Sequence, residues 1–102
     1  MADQTAEEAA HAYARAVVGG DMQTILRYLT PDALAKLMRI MGHTYFKYFS
    51  YELAAQGPDG DDRLVDVTYQ TELGPVRFRY RLHPTEGAWK IGDIEGDLPM
   101  RA

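Results

Sequence analysis

Cysteine is missing from this chain of 102 residues. Its absence excludes a disulfide framework, a thiol nucleophile and a thiolate metal site. Long apolar runs are missing too, since a bilayer span needs about 20 consecutive apolar residues. Basic residues are the minority: 11 Lys and Arg stand against 15 Asp and Glu, a net charge of −4. That balance favours solubility and gives no electrostatic case for nucleic-acid binding. The opening MADQTAEE is acidic and lacks a basic-then-apolar leader. A cytoplasmic location and no membrane partner are therefore expected, unless a leader has been removed. There is no phosphate-binding glycine loop and no nucleophile elbow. Asp59, Asp61 and Asp62 resemble the start of a calcium loop, but the later glutamate and its spacing are absent. No metal and no cofactor are expected.

What remains is ample for one domain over residues 1–102, large enough to bury a core without staples. Thr5 and Glu8 are spaced as a capping box. Ala9, Tyr13, Ala16 and Val17 then share one helical face. Glu7, His11 and Arg15 lie on another, expected to face water. Gly19-Gly20 stops that helix, because glycine readily takes the left-handed cap conformation. Asp21 can cap a second helix with Ile25, Leu26 and Leu29 inward. Thr30-Pro31 reads as an N-cap followed by a first-turn proline. A third helix carries the stripe Leu34, Leu37, Met38 and Met41 and ends at Gly42.

Beyond Gly42 the period changes to two. Residues 44–56 form an aromatic, strand-like run with Tyr45, Phe46, Tyr48, Phe49 and Tyr51. Residues 57–62 are a turn cluster. Residues 63–72 alternate Val65, Val67 and Tyr69 with Asp66, Thr68 and Gln70. Gly74-Pro75 turns the chain. Residues 76–83 place Val76, Phe78, Tyr80 and Leu82 on one face and Arg77, Arg79, Arg81 and His83 on the other. Residues 84–87 turn again, and Trp89-Lys90-Ile91 opens the last strand. Successive hairpins predict an antiparallel sheet. Helices first and strands after predict an α+β fold: three N-terminal helices in the concave face of a curved sheet of about four strands.

The helix with a mid-helix aromatic (Tyr13), the Gly20-Asp21 break, the step Leu29-Thr30-Pro31-Asp32-Ala33 and the closing Gly87-Ala88-Trp89-Lys90-Ile91 together resemble the NTF2-like superfamily. This is the cystatin-like α+β cone of ketosteroid isomerases, SnoaL-type cyclases and scytalone dehydratase. The resemblance spans roughly residues 5–95 and is nearest to small members of unknown function. It implies a pocket between helices and sheet, open at the mouth of the cone. Tyr13 stands eight positions before Asp21, as does the oxyanion-hole tyrosine of the ketosteroid isomerases relative to their own aspartate. A buried phenol can donate to developing negative charge, a contribution of about 3–4 kcal/mol where it operates. The same phenol can instead pack on the sheet and bond a local partner.

The departures from that pattern are specific. The segment supplying the carboxylate base in those isomerases is replaced by helical Ala35-Lys36-Leu37-Met38, and the late-strand acid falls near Phe78. Catalytic residues are therefore left unassigned. Pocket candidates are Tyr13, His43, Tyr48, Tyr69 and Tyr80, whose rings would give an apolar pocket with polar tips. Arg77, Arg79 and Arg81 are expected to pair across strands with Asp66, Glu52 or Glu72; the resemblance adds a homodimer through this outer sheet face. Asp93, Glu95 and Asp97 alternate near the chain end and are expected to face solvent. Two functions stay open. One is non-catalytic binding of a small apolar ligand or a protein partner. The other is a small isomerase, dehydratase or cyclase-type enzyme using Tyr13.

Overall fold

A computed structural model describes residues 5–41, 47–85 and 88–96. The first third of the chain forms α1 (Ala6–Gly19), α2 (Met22–Tyr28) and α3 (Pro31–Met41). The remainder forms β1 (Tyr48–Asp59), β2 (Asp62–Thr71), β3 (Gly74–Thr85) and β4 (Ala88–Gly96). The strands make one antiparallel sheet in the order β1-β2-β3-β4, with the helices packed on it, so the α+β architecture read from the sequence is present. No helix among the described residues is long and apolar enough to cross a membrane.

The helix boundaries follow local chemistry. Thr5 and Glu8 form both halves of the capping box, at 3.0 and 2.8 Å. Gly20 takes the left-handed conformation at φ 74°, which lets the Asp21 amide reach the Ala16 carbonyl at 2.9 Å. Asp21 then caps α2 through the Thr24 amide at 3.3 Å. The Thr30 hydroxyl accepts from the Ala33 amide at 3.2 Å, which starts α3 behind its proline.

One face of α1 is nearly all alanine. Ala9, Ala10 and Ala14 are fully buried, so the helix sits close on the sheet and Tyr13 is its one large side chain in the core. The inner faces of β2 and β3 supply Val65, Val67, Tyr69, Val76, Phe78, Tyr80 and Leu82, all buried as their alternation predicted. Ile25 and Leu29 of α2 close this core, joined by Ile91 and Ile94 of β4.

Several expectations are corrected. Leu26 is 47% exposed, because α2 is too short to bury two adjacent apolar positions on one sheet edge. Met38 is 63% exposed; α3 packs on β4 through its Ala33 side, leaving Leu34, Leu37 and Met41 half-buried. The run beginning at 44 is strand from Tyr48, and residues 44–46 lie outside the described residues. The 57–62 turn shrinks to Gly60-Asp61, since Gly57, Pro58 and Asp59 pair with Leu64, Arg63 and Asp62. The second turn is Glu72-Leu73, two residues earlier than Gly74-Pro75, held by the Thr71 hydroxyl. That hydroxyl donates to the Gly74 carbonyl at 2.7 Å and accepts from the Leu73 amide at 3.0 Å.

Candidate functional site

The inner face brings four of the five tyrosine and histidine candidates together. Tyr13 comes from α1, Tyr48 from the start of β1, Tyr69 from β2 and Tyr80 from β3. The Tyr69 and Tyr80 hydroxyls are 2.8 Å apart. Tyr13 meets Tyr80 edge-on, with ring centroids 5.1 Å apart, and Tyr48 meets Tyr69 in the same way at 5.2 Å. Edge-to-face contacts of this kind add to the burial of the rings themselves. His43 lies outside the described residues.

Burial governs the chemistry of this cluster. Tyr13, Tyr69 and Tyr80 are at most 1% exposed, whereas Tyr48 is half-buried. Loss of water around Tyr69 and Tyr80 raises both phenols well above their ordinary pKa. Burial also raises Tyr13, with a hydrogen bond to Tyr80 pulling the other way. The Tyr48 phenol is raised by burial alone. These groups are therefore neutral hydrogen-bond donors at physiological pH and have no capacity as bases there. Among the described residues no buried side-chain nitrogen or oxygen lacks a partner.

An acid–base reaction would need a titrating neighbour. Phe78 stacks beside Tyr80 at a centroid distance of 6.1 Å and carries no proton. Among the described residues the buried carboxylate is Asp66, whose alternation places it on the opposite face of the sheet from Tyr69. His11 departs from expectation. It is half-buried, and its Nδ1 lies 2.9 Å from the Tyr51 hydroxyl, because α1 lies across β1 and brings that flank of the helix over the strand.

The outer face is built from charge. Arg79 grips Asp66 with two bonds, at 2.7 and 3.2 Å, directly across β2 and β3. Arg77 approaches the same carboxylate at 4.0 Å and is 70% exposed. Arg81 spans Asp59 at 2.8 Å and Asp62 at 3.1 Å. The His83 Nδ1 lies 2.6 Å from the other oxygen of Asp62. Hydrogen bonds from Arg79 hold the Asp66 carboxyl below its usual range, and His83 does the same for Asp62. Lys36 of α3 pairs with Asp93, so that acid is committed to α3 and not simply left in water. Of the expected arginine partners, Asp66 is used. Glu52 and Glu72 are not: the register sets Thr68 between Glu52 and Arg77, and Glu72 lies in the turn, where its carboxylate accepts from the Lys47 amide at 2.7 Å.

Sequence reasoning missed the Asp62–His83 pair. The signal was turn placement: a two-residue loop at Glu72-Leu73 brings Asp66 opposite Arg79 and carries Asp62 to the level of His83. An open depression of about 550 Å3 lies on this outer face, lined by Glu52, Leu53, Ala54, Gln56, Asp66, Thr68 and Arg77. A smaller one, about 90 Å3, lies among Leu64, Arg79, Arg81, Asp93 and Glu95. Compared with known proteins, the chain matches no family model, no curated protein and no solved structure.

Proposed function

We propose that this chain is an NTF2-like domain that acts by non-catalytic binding, and that its partner is a protein, a second copy included, received on the outer face of the sheet. One observation carries this reading. Tyr13, Tyr69 and Tyr80 are buried, the last two bonded to each other, whereas the roomy depression is on the outer face beside the exposed Arg77 and Glu52. The charges there alternate by strand: acids on β2 and β4 flank the arginines of β3. A surface with both signs in register selects partners by electrostatic complementarity. A cytoplasmic location accompanies this reading.

The test is a paired charge reversal, Glu52→Lys with Arg77→Glu, in the full chain. Proteins retained by the wild type are expected to be lost by the variant, while its thermal midpoint stays within a few degrees. Retention of the same proteins by both would refute the outer-face reading.

A second reading, a small apolar ligand or an isomerase, dehydratase or cyclase-type reaction at Tyr13, draws on the phenol cluster. A hydrogen bond donated from such an apolar surrounding is strong. This reading requires the helices to part from the sheet. It expects some flat apolar compound to raise the thermal midpoint, since a ligand preferring the native state stabilises it.

A further inference from the structure

The two edges of the sheet are treated differently. The β4 edge is covered by the α2–α3 junction. Leu29 bridges Ile91, the Thr30 amide donates to the Ile91 carbonyl at 3.0 Å, and Lys90 reaches the Arg27 carbonyl at 2.8 Å. The β1 edge has no such cover among the described residues: no backbone hydrogen bond outside the sheet ladders reaches Tyr51–Ala55 there. Between Tyr48 and Gly57 its one charged residue is Glu52, and Ser50, Glu52, Ala54, Ala55 and Gln56 are exposed. Long edges with little charge are templates for another strand.

The hairpin loops fix which amides are available. Asp59–Asp62 and Thr71–Gly74 close the two hairpins, and ladder bonds alternate along β2 from these pairs, while the register shift between Ala55 and Gly57 moves the bonded positions of β1 from odd to even residues. Glu52 and Ala54 therefore bond to Thr68 and Asp66 of β2. Tyr51, Leu53 and Ala55 turn their N–H and C=O groups to the open side.

We infer that this edge pairs with the same segment of a second copy, antiparallel about Leu53, so that two four-stranded sheets become one. The strand is complementary to itself in that register. Leu53 meets Leu53 and Tyr51 meets Ala55, within the regular stretch bounded by the register shifts at Tyr48/Ser50 and Ala55/Gly57. Glu52 faces Ala54, so the one charge meets a methyl group and no like charges are opposed. Tyr51, Leu53 and Ala55 all fall in hydrogen-bonded positions, giving about six backbone bonds across the two-fold axis. The outer face stays free in both copies, so this pairing is independent of the function proposed above.

The test uses sedimentation equilibrium and amide exchange on the full chain. The wild type is expected to rise from 11.5 kDa toward about twice that mass with concentration, by mass action. Ala55→Pro removes one open-side amide at an exposed edge position, where proline is tolerated. It is expected to stay monomeric with an unchanged circular dichroism spectrum, whereas Arg39→Glu, exposed on α3, associates like the wild type. Should Ala55→Pro fail to fold, exchange in the wild type decides. The amides of Tyr51, Leu53 and Ala55 are expected to exchange about ten-fold more slowly in concentrated than in dilute solution. A wild type that stays monomeric overturns the inference, as does association of Ala55→Pro equal to wild type. Protection of those amides at every concentration also overturns it, because a segment of the same chain would then cover the edge.

Discussion

Tyr80 is the pivot of the inner face. Its hydroxyl lies 2.8 Å from that of Tyr69, and its ring meets Tyr13 edge-on at 5.1 Å. Removing that hydroxyl leaves the Tyr69 phenol buried and under-bonded, and a stranded buried polar group costs about 1–3 kcal/mol. Tyr80→Phe is therefore expected to lose at least that much in urea unfolding. Tyr13→Phe, which removes a terminal member and strands less, should lose about 1 kcal/mol. Equal losses from the two would contradict the pivot. Gly92 is a second point where one atom decides. A Cβ built there would stand 2.0 Å from His83 Cδ2 and 2.1 Å from Nε2, and Asp62 restrains that ring from the other side. Overfilling of this kind costs about 1–3 kcal/mol. Gly92→Ala is expected to destabilise the wild type by that amount and to be much milder in a His83→Ala background. A double-mutant cycle on thermal or urea unfolding measures the difference.

The strands hold the sheet by two different faces, and the outer one is sensitive to pH. Asp66 has its folded pKa lowered, chiefly by its hydrogen bonds to Arg79, with burial opposing. A lowered carboxyl pKa contributes stability that is complete above the unfolded value, about 4, and is lost as pH falls through the folded value. Urea midpoints are thus expected to fall below pH 4, and Asp66→Asn should flatten that fall. The strand pattern itself was largely readable. In β3, Val76, Phe78, Tyr80 and Leu82 alternate with charge so strictly that their burial followed from the period of two. Cross-strand partners were not readable to the same degree, because register depends on the turn. Glu72-Leu73 turns without the Gly-Pro signal that Gly74-Pro75 offers, and moving the turn by two residues moves each cross-strand partner by four, which concealed Asp62 opposite His83. The exposure of Leu26 and Met38 was hidden for another reason. Helical periodicity identifies an apolar stripe but not how much sheet is available beneath it.

Taken together, the chain buries its phenols on one side of the sheet and arrays its charges on the other. Tyr13 was singled out from its position in α1, and its inward direction follows from the face it shares with Ala9 and Ala16. Its neighbours could not be read from sequence, since they come from strands whose pairing closes only in the folded molecule. The division of labour between the two faces rests on the inner phenols being closed to water. Unfolded tyrosines ionise near pH 10, while burial holds Tyr13, Tyr69 and Tyr80 neutral beyond that point. A group with a raised folded pKa stabilises fully below its unfolded value and loses that contribution as pH rises. A spectrophotometric titration of the tyrosines at 25 °C, followed alongside circular dichroism, examines this directly. Tyr13, Tyr69 and Tyr80 are expected to ionise only as the protein unfolds, at a pH above that of unfolded tyrosine. Ionisation of all the tyrosines in one step near pH 10, with secondary structure retained, would contradict a closed inner face and return the ligand to the side of Tyr13.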